Sequence, residues 1–437
     1  MAHLKPSFLD RDKKPGKVHP TAWLDGIRGC ASFFVFVYHF QHLFHGKYLL
    51  GYGSNHGNND HWLIQLPIIR LVFTGGPMVS VFWVLSGISL SLKPLQLARS
   101  QSWDKFFDTM FSSIFRRALR LYMPVFFVQC CVIVAACLGF YNHAYALSQD
   151  WPFSGTNEGQ FVVFESNLDQ IQDWLKTMWK FANPFRPIRP LYDVHLWTIP
   201  LEFRNSIILF ATLIAYAKLK PRIRIGLTAA LYTFCVLAEE GDVALFIAGM
   251  GLAEFLLIRD ENAKFLPTAE KLHDSQSTRT KAIWVGVLYI GLHLLSWPAH
   301  KYETSPGYIS MHYLFAPLFR STELTFQRMG AAIFLLALCG SEWLRKPFQT
   351  NVAIYLGRIS FPLYIVHGPV CHMIGTLLVE FFWSFTGNDT LIRYEMGVVA
   401  SFFCCAIVVV WLADLLMTMV DTPSVRFGRT LQTRWSR

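Results

Sequence analysis

Long apolar runs separated by short polar segments recur along the whole chain. An α-helix needs about 20 apolar residues to cross a hydrocarbon core of roughly 30 Å, and many of these runs approach that length. The pattern predicts an all-α fold, a polytopic transmembrane helical bundle of about ten spans. The predicted spans are residues 29–49, 71–92, 118–140, 196–217, 223–239, 241–258, 282–299, 328–344, 353–382 and 396–420.

The composition and the placement of charge agree with this prediction. Hydrophobic residues make up 53% of the chain and charged residues only 16%, whereas a soluble domain of this size carries more charge. Lys and Arg collect in every second connection, as they do in cytoplasmic loops. We therefore predict a cytoplasmic arm over residues 1–22, a transmembrane domain over 23–425 and a cytoplasmic tail over 426–437.

The net charge of +10 does not indicate nucleic-acid binding, because membrane topology alone requires basic residues in alternate loops. No cleavable signal peptide is evident, so the first span is expected to act as its own insertion signal. The nine Cys residues lie almost entirely inside predicted spans, without the spacing of metal ligands. We predict that they pack in the core and that the protein holds no metal.

Polar side chains inside the spans are the first indication of chemistry, because the bilayer makes them costly. Arg28 and His39 are eleven residues apart. On a helix they share one face and lie roughly 16 Å apart along its axis. They would line a common cavity, with Arg28 near the cytoplasmic mouth and His39 deeper. Alternatively, Arg28 is a topological anchor and His39 a hydrogen-bonded core residue.

Two other segments place charged groups at the ends of spans. Arg116, Arg117 and Arg120 precede the third span, and their guanidinium groups suit phosphate, although a simple cytoplasmic anchor explains them equally well. Glu202 and Arg204 lie early in the fourth span. They point about 200° apart on a helix, so they cannot simply neutralise each other.

The ninth and second spans also carry reactive groups. Tyr364 and His367 share a helix face between two prolines that loosen the backbone. Ser86 precedes Gly87 in the second span, but the strand-turn-helix setting of a nucleophile elbow is missing. Close packing of helices is the favoured interpretation of Ser86.

Two connections on the predicted non-cytoplasmic side are long, over residues 141–195 and 300–327. Such loops either cover a site or only join spans, and the sequence leaves both interpretations open. Between the ninth and tenth spans, Asn388 begins an Asn-Asp-Thr sequon. If the chain enters a eukaryotic endomembrane, this asparagine can receive a lumenal N-glycan.

Five motifs follow one another along the chain. They are Leu-Asp-Gly-Ile-Arg-Gly at 24–29 with His39 following, Phe-Trp-Val-Leu-Ser-Gly at 82–87, Arg-Arg-Ala-Leu-Arg-Leu at 116–121 before Pro124, His-Leu-Trp-Thr-Ile-Pro-Leu-Glu-Phe at 195–203, and the stretch 359–369. Taken in this order, the five motifs resemble the membrane-bound acyltransferase 3 family, in particular its fungal branch associated with small-molecule acylation. The resemblance extends over nearly the whole chain, from about residue 20 to residue 425.

This resemblance implies a ten-span helical core, a cytoplasmic acyl-CoA donor and a catalytic histidine in the first span, which is His39 here. One departure occurs at the end of the last span. Asp421 stands there in Val-Asp-Thr-Pro, where many bacterial members have a glutamate. The role of Asp421 is therefore left open.

The expected function is that of an integral membrane O-acyltransferase acting on a small-molecule hydroxyl, with a secondary metabolite as the expected acceptor. Transfer from a thioester requires a base, and a buried imidazole suits that task. We predict His39 as the base, with Glu202, or Tyr364 and His367, orienting it or the acceptor. No convincing nucleophile is present, which favours direct transfer over an acyl-enzyme.

Acyl-CoA, with acetyl-CoA as the expected form, is predicted as a co-substrate, and no permanently bound cofactor is predicted. The donor's phosphates would be held by Arg28, Arg116, Arg117 and Arg120. The lipid bilayer is the other expected partner, in the endoplasmic reticulum or another endomembrane. The alternative function is a proton-coupled small-molecule transporter, which would also place His, Glu and Arg inside spans. A non-catalytic scaffold would leave these residues unexplained.

Overall fold

The structure is a computed structural model that describes residues 19, 21–55, 57, 60–159, 161–265 and 277–436. Most of the predicted N-terminal arm, and much of the basic connection between Arg259 and Lys281, lie outside the described residues. Within them the chain is helical, with isolated β-bridges and no β-strand. The predicted all-α class is confirmed.

Fifteen helices are labelled here in chain order, and shorter helical turns lie between them. They are α1 (Ala22–Phe44), α2 (Gly75–Arg99), α3 (Trp103–Cys137), α4 (Asn142–Gln149), α5 (Asn167–Phe181), α6 (Thr198–Tyr216), α7 (Pro221–Leu237), α8 (Gly241–Phe265), α9 (Thr278–Leu295), α10 (Ile309–Phe315), α11 (Thr322–Gly340), α12 (Asn351–Val370), α13 (Thr376–Thr386), α14 (Leu391–Leu416) and α15 (Thr422–Trp435).

The structure tests the predicted number of spans less directly than the helical class. Seven helical stretches of the described chain are long and apolar enough to cross a membrane. The remaining predicted spans, the first, fifth and seventh, coincide with α1, α7 and α9. The protein is therefore a multi-pass helical membrane protein, and the count of about ten spans stays a prediction. The seven stretches are Gly75–Arg99, Trp103–Cys137, Val194–Tyr216, Gly241–Glu261, Thr322–Gly340, Asn351–Thr386 and Leu391–Trp435.

Local sequence explains how several helices begin. The side chains of Ser166, Ser321 and Thr390 each accept a hydrogen bond from a backbone N–H in the first turn of the following helix. These caps satisfy donors that a helix cannot pair within itself. The caps therefore fix where α5, α11 and α14 start.

The ninth predicted span is one helical run from Asn351 to Thr386, but its middle is not regular α-helix. After Pro362 and Pro369 the backbone passes through a π-helical turn at Cys371–Gly375. Such turns are frequent at functional sites because they redirect side chains. This one carries His372, which the sequence analysis did not select.

The chain divides into two compact units, which are described separately. The first contains the described residues up to Gly46, together with Phe115–Phe203 and the described residues from Asn351 onward. Inside this unit α1 lies directly against α12. The backbones are so close at the crossing that a Cβ atom added at Gly29 would lie 2.2 Å from the Gly357 nitrogen. Glycine at this crossing lets the two backbones approach closely, as small residues do in membrane bundles.

The second unit contains Lys47–Ile114 and Arg204–Thr350. Its helices α2 and α8 meet at Gly87 and Gly249, where an added Cβ atom would lie 2.4 Å from a backbone oxygen of the opposite helix. The motif that contains Ser86 thus lies at a helix crossing, which agrees with the close-packing interpretation.

Candidate active site

Four histidine rings converge inside the first unit. His39 comes from α1, His195 from the turn before α6, His367 from α12 and His372 from the π-helical turn. The ring centroids of His39 and His195 are 3.9 Å apart, and that of His367 lies 5.3 Å from His39 and 4.8 Å from His195. We call these four residues the histidine cluster.

Glu158, in the connection between α4 and α5, bridges the histidine cluster. Its Oε1 lies 2.6 Å from His39 Nδ1 and its Oε2 lies 3.0 Å from His195 Nε2. His372 Nε2 is farther from the same carboxylate, at 3.6 Å. The long segment 141–195 therefore does more than join two spans, because one of its carboxylates reaches the predicted base.

The Glu158 carboxylate is buried, with 7% of its side chain exposed. Burial by itself raises the pKa of a carboxyl group, but the nearby His39 and His195 rings and the hydrogen bonds to this carboxylate outweigh burial. The pKa of Glu158 is held well below its ordinary value of 4.5. Glu158 is therefore an anion that accepts hydrogen bonds.

This assignment fixes the tautomer of His39. An ionised carboxylate only accepts hydrogen bonds, so His39 Nδ1 carries the hydrogen and donates it to Glu158. In the neutral ring, Nε2 then carries the lone pair and is the basic atom. The side chain of His39 keeps 19% of its surface exposed, so a reactant can approach the ring.

Tyr364 and His367, both predicted as catalytic candidates, have different roles at the cluster: His367 belongs to it, and Tyr364 lies beside it. The Tyr364 hydroxyl donates to the His195 carbonyl oxygen at 2.7 Å and contacts the Thr198 hydroxyl at 2.7 Å. Tyr364 thus holds the turn that carries His195. His367 Nδ1 donates to the Tyr364 carbonyl oxygen at 2.7 Å, which leaves Nε2 buried and without a hydrogen-bond partner among the described residues.

The third catalytic candidate, Glu202, is paired with an arginine. Arg117 Nη2 donates to Glu202 Oε1 at 2.5 Å. Arg204, its neighbour in α6, instead pairs with Asp242 at 2.6 Å. Glu202 and Arg204 therefore have separate partners, as their angular separation predicts. The contact with Arg117 associates Glu202 with the predicted phosphate-binding residues.

Those predicted phosphate-binding residues differ in how they are engaged. Arg28 Nη1 pairs with Asp25 at 2.7 Å, and Arg117 pairs with Glu202. Arg120 is exposed and makes no hydrogen bond or ion pair in the described part of the chain, although it is near enough to Arg28 and Arg117 to repel them.

Arg116, the remaining member of the predicted set, has different neighbours. Its aliphatic stem approaches Gly428, and its charge is repelled by Arg429 in α15 and by Arg120. The structure therefore brings Arg28, Arg117 and Arg120 near one another, whereas Arg116 is near Arg120 and α15.

Four residues in or beside the histidine cluster were not selected from the sequence: Glu158, Asp193, His195 and His372. His195 opens a recognised motif, and the Asp193 carboxylate lies 2.8 Å from its Nδ1. The position of Asp193 two residues before His195, at the start of a span, is the one sequence signal that could have indicated this pair. Glu158 lies 119 positions from His39, in a loop without regular periodicity, so no sequence pattern indicated it.

The cluster also has ligand atoms close enough to be considered for a metal. Those of His39, His195 and His367, and those of Glu158, His195 and His372, lie within 4.8 Å of one another. However, both ring nitrogens of His195 already face carboxylates. Metal ligation needs a bare imidazole nitrogen, so it would have to displace one of these contacts. The absence of a resident metal stays a prediction.

Comparison with known proteins assigns the family. The family model described as an acyltransferase domain, that of acyltransferase 3, matches residues 21–418. The chain belongs to the acyltransferase 3 family. Its relatives include the O-acetyltransferase PaAT-1 of Phomopsis amygdali, which is 29% identical over 99% of this chain and 89% of its own length.

Two further fungal relatives support the same family. The acyltransferases clz18 of Cochliobolus lunatus and R4 of a Phoma species are each 26% identical over 92% of this chain and 94% of their own length. No solved structure matches the chain significantly. The protein is thus a membrane acyltransferase, and this family assignment favours group transfer over the alternative of a transporter.

Proposed function

We propose that this acyltransferase 3 protein moves an acyl group from acyl-CoA to a hydroxyl of a small molecule, with His39 as the general base. The observation that supports this most directly is the 2.6 Å contact between His39 Nδ1 and Glu158. It orients the ring and leaves Nε2 as the basic atom, and it stabilises the imidazolium that forms when the ring takes a proton.

The reaction proceeds by direct transfer. His39 Nε2 takes the proton of the acceptor hydroxyl while its oxygen attacks the thioester carbonyl carbon. The tetrahedral intermediate then collapses, the carbon–sulfur bond breaks, and the CoA thiolate takes the proton back from His39. The products are the O-acyl ester and free CoA, and His39 returns to its neutral state.

On the donor side, Arg120 is the best candidate for direct contact with the CoA phosphates. Arg28 and Arg117 already pair with carboxylates, whereas Arg120 is exposed and without an ion pair in the described chain. The distance from Arg28 to His39 along α1 is roughly 16 Å, which suits an extended pantetheine arm. The CoA phosphates would then lie near the Arg28 end of α1, and the reacting thioester would lie near His39 in the same helix.

The name of PaAT-1, an O-acetyltransferase, supports acetyl as the transferred group and oxygen as the accepting atom. A secondary metabolite remains the proposed acceptor. It can be identified by deleting the gene and comparing extracted metabolites, because the unacylated precursor should accumulate.

The test of this function is release of free thiol from acetyl-CoA by the purified protein in lipid nanodiscs, with the metabolite fraction that accumulates in the deletion strain as acceptor. Thiol release should require that fraction and should be abolished in His39→Ala. The matched control is His143→Ala, which removes a partly exposed histidine of α4. Full activity of His39→Ala would overturn the assignment of the base, and a lack of any thiol release would overturn the reaction.

The proposed topology places both termini in the cytoplasm of an endomembrane and Asn388 in the lumen. Asn388 is exposed in the turn before α14, where a glycan would be accessible. A cysteine introduced there by Asn388→Cys should react with an impermeant thiol reagent only from the lumenal side. Labelling from the cytoplasmic side would invert the topology and remove the argument for a cytosolic donor.

A further inference from the structure

The environment of His195 indicates that this ring carries a positive charge. Its Nε2 faces Glu158 at 3.0 Å and its Nδ1 faces Asp193 at 2.8 Å. Asp193 Oδ1 also accepts the backbone N–H of His195 at 3.1 Å. Because ionised carboxylates only accept hydrogen bonds, both ring nitrogens must donate. His195 is therefore an imidazolium held between two anions.

This arrangement gives the site an unbalanced charge before reaction. Two carboxylates, Glu158 and Asp193, face the single imidazolium of His195, so the three groups together carry one net negative charge. When His39 takes the acceptor proton, the positive ring forms against Glu158 and the sum becomes zero. Glu158 thus balances the charge that His39 gains, against repulsion from the positive ring of His195, whose centroid lies 3.9 Å from that of His39.

We propose that His195 is a positioning residue that acts through Glu158, an inference that rests on the proposed role of His39. By donating to Oε2, the His195 cation fixes one oxygen of Glu158 and so keeps the other oxygen, Oε1, on His39 Nδ1. His195 itself is fixed on its backbone side, because its carbonyl oxygen accepts the Tyr364 hydroxyl at 2.7 Å. Asp193 completes the arrangement from the other ring nitrogen.

Gly368 supplies the space that the His195–Asp193 pair occupies. A Cβ atom added at Gly368 would lie 2.3 Å from His195 Nδ1 and 2.7 Å from Asp193 Oδ1. Real atoms do not approach so closely, so a methyl group there must displace the pair. Gly368, the glycine in the His-Gly-Pro sequence of α12, therefore helps to position His195 and Asp193.

A double-mutant cycle tests whether His195 acts through Glu158. His195→Gln, Glu158→Gln and the double variant are assayed with acetyl-CoA and the metabolite fraction from the deletion strain. We expect His195→Gln alone to lower kcat by about 100-fold, with the KM for acetyl-CoA unchanged. In the Glu158→Gln background the same change should lower kcat by no more than about threefold.

Additive effects in the cycle would overturn the proposal, because they would mean that His195 acts independently of Glu158. Near-normal kcat in His195→Gln would also overturn it. Either failure is distinguishable from failure of the proposed function, which is tested by His39→Ala and by thiol release alone. The unchanged KM for the donor reports that the variant enzyme is folded.

A second pair of variants avoids the risk that His195→Gln does not fold. Gly368→Ala keeps every charge and donor of the site and adds only one methyl group. It should lower kcat at least about tenfold at unchanged donor KM. Gly375→Ala is the matched control in the same helical run, because its Cβ would meet Phe40 at an ordinary 3.5 Å. Equal kcat values for the two alanine variants would overturn the positioning role.

Discussion

Two groups of charged and polar residues with buried members, one in each unit, differ in how completely their buried atoms are paired. In the second unit Arg224 donates to both oxygens of Glu254, at 2.9 and 2.8 Å, and Arg99 bridges Glu254 and Glu261. At the histidine cluster, by contrast, His367 Nε2 and the Oδ2 atom of the adjacent Asp193 have no hydrogen-bond partner within the described chain.

The difference has a physical meaning. A buried charge is tolerated when its partners satisfy it, and a network in which every group is paired has no capacity left for a ligand. The arginine–glutamate network therefore holds α2, α7 and α8 together. The histidine cluster keeps unpaired atoms near a ring that accepts a proton, as a site that binds reactants requires.

The strongest test of this contrast removes the basic atom of the cluster while keeping its contact with Glu158. In His39→Asn the amide nitrogen can replace Nδ1 as the donor to Glu158, but nothing replaces Nε2. We expect kcat to fall at least about 10³-fold with normal expression and donor KM, as measured by thiol release. If His39→Asn retained activity, orientation by Glu158 rather than basicity would be what matters.

The corresponding test of the arginine–glutamate network is Glu254→Gln. It leaves the Arg224 guanidinium buried without its full countercharge, so we expect a loss of about 3–5 kcal/mol in the free energy of unfolding. Below the unfolding temperature, kcat should be unchanged. Arg393→Ala is the control, because its ion pair with Asp389 is exposed and contributes little. A large fall in kcat in Glu254→Gln without a loss of stability would contradict the purely structural role of the arginine–glutamate network.

A smaller effect is expected among the arginines. Arg120→Ala should raise the KM for acetyl-CoA at least about tenfold, since a lost charge-assisted contact to phosphate costs about 1.5–3 kcal/mol. Arg116→Ala, one turn away and facing α15, should raise it less. Initial rates at varied donor and acceptor concentrations give both constants. If Arg120→Ala raised the KM for the donor and the KM for the acceptor equally, Arg120 would be a cytoplasmic anchor of the membrane topology and would not bind the donor.

The smallest effect concerns stability and pH. Because the pKa of Glu158 is lower in the folded protein than the ordinary 4.5, its ionised form stabilises the fold above that pH. This contribution is lost as the pH falls through the lower folded pKa. The unfolding temperatures of wild type and Glu158→Gln should therefore converge as the pH drops below 4.5. A gap that widened on acidification would mean that Glu158 is not held as an anion.

The amino-acid sequence predicts features that depend on one segment at a time. The apolar runs predicted the spans, since partition of a helix into lipid depends on its own composition. The position of His39 and Arg28 on one face followed from the helix repeat alone. The angular separation of Glu202 and Arg204 likewise predicted that they do not simply neutralise each other, and each pairs with a different residue.

The identity of those partners was beyond the sequence. Glu202 was predicted to orient the base or the acceptor, and the sequence did not indicate that its carboxylate lies against Arg117, 85 positions away. Arg116 and Arg120 were grouped by proximity in sequence. Their charges do repel each other, but Arg116 also lies near Arg429 of α15, whereas Arg120 lies near Arg28 and Arg117. Helical periodicity indicates which residues share a face, but it does not indicate which helix that face meets.

The sequence by itself determined the helical membrane class, the family and the candidate base, because hydrophobicity and short motifs are local properties. Only the tertiary structure decided what surrounds that base. Glu158 reaches His39 from a loop 119 residues away, and Gly368 makes room for His195 from a different helix. A hydrogen bond depends on distances of a few tenths of an ångström, which only the packing of several segments against one another sets.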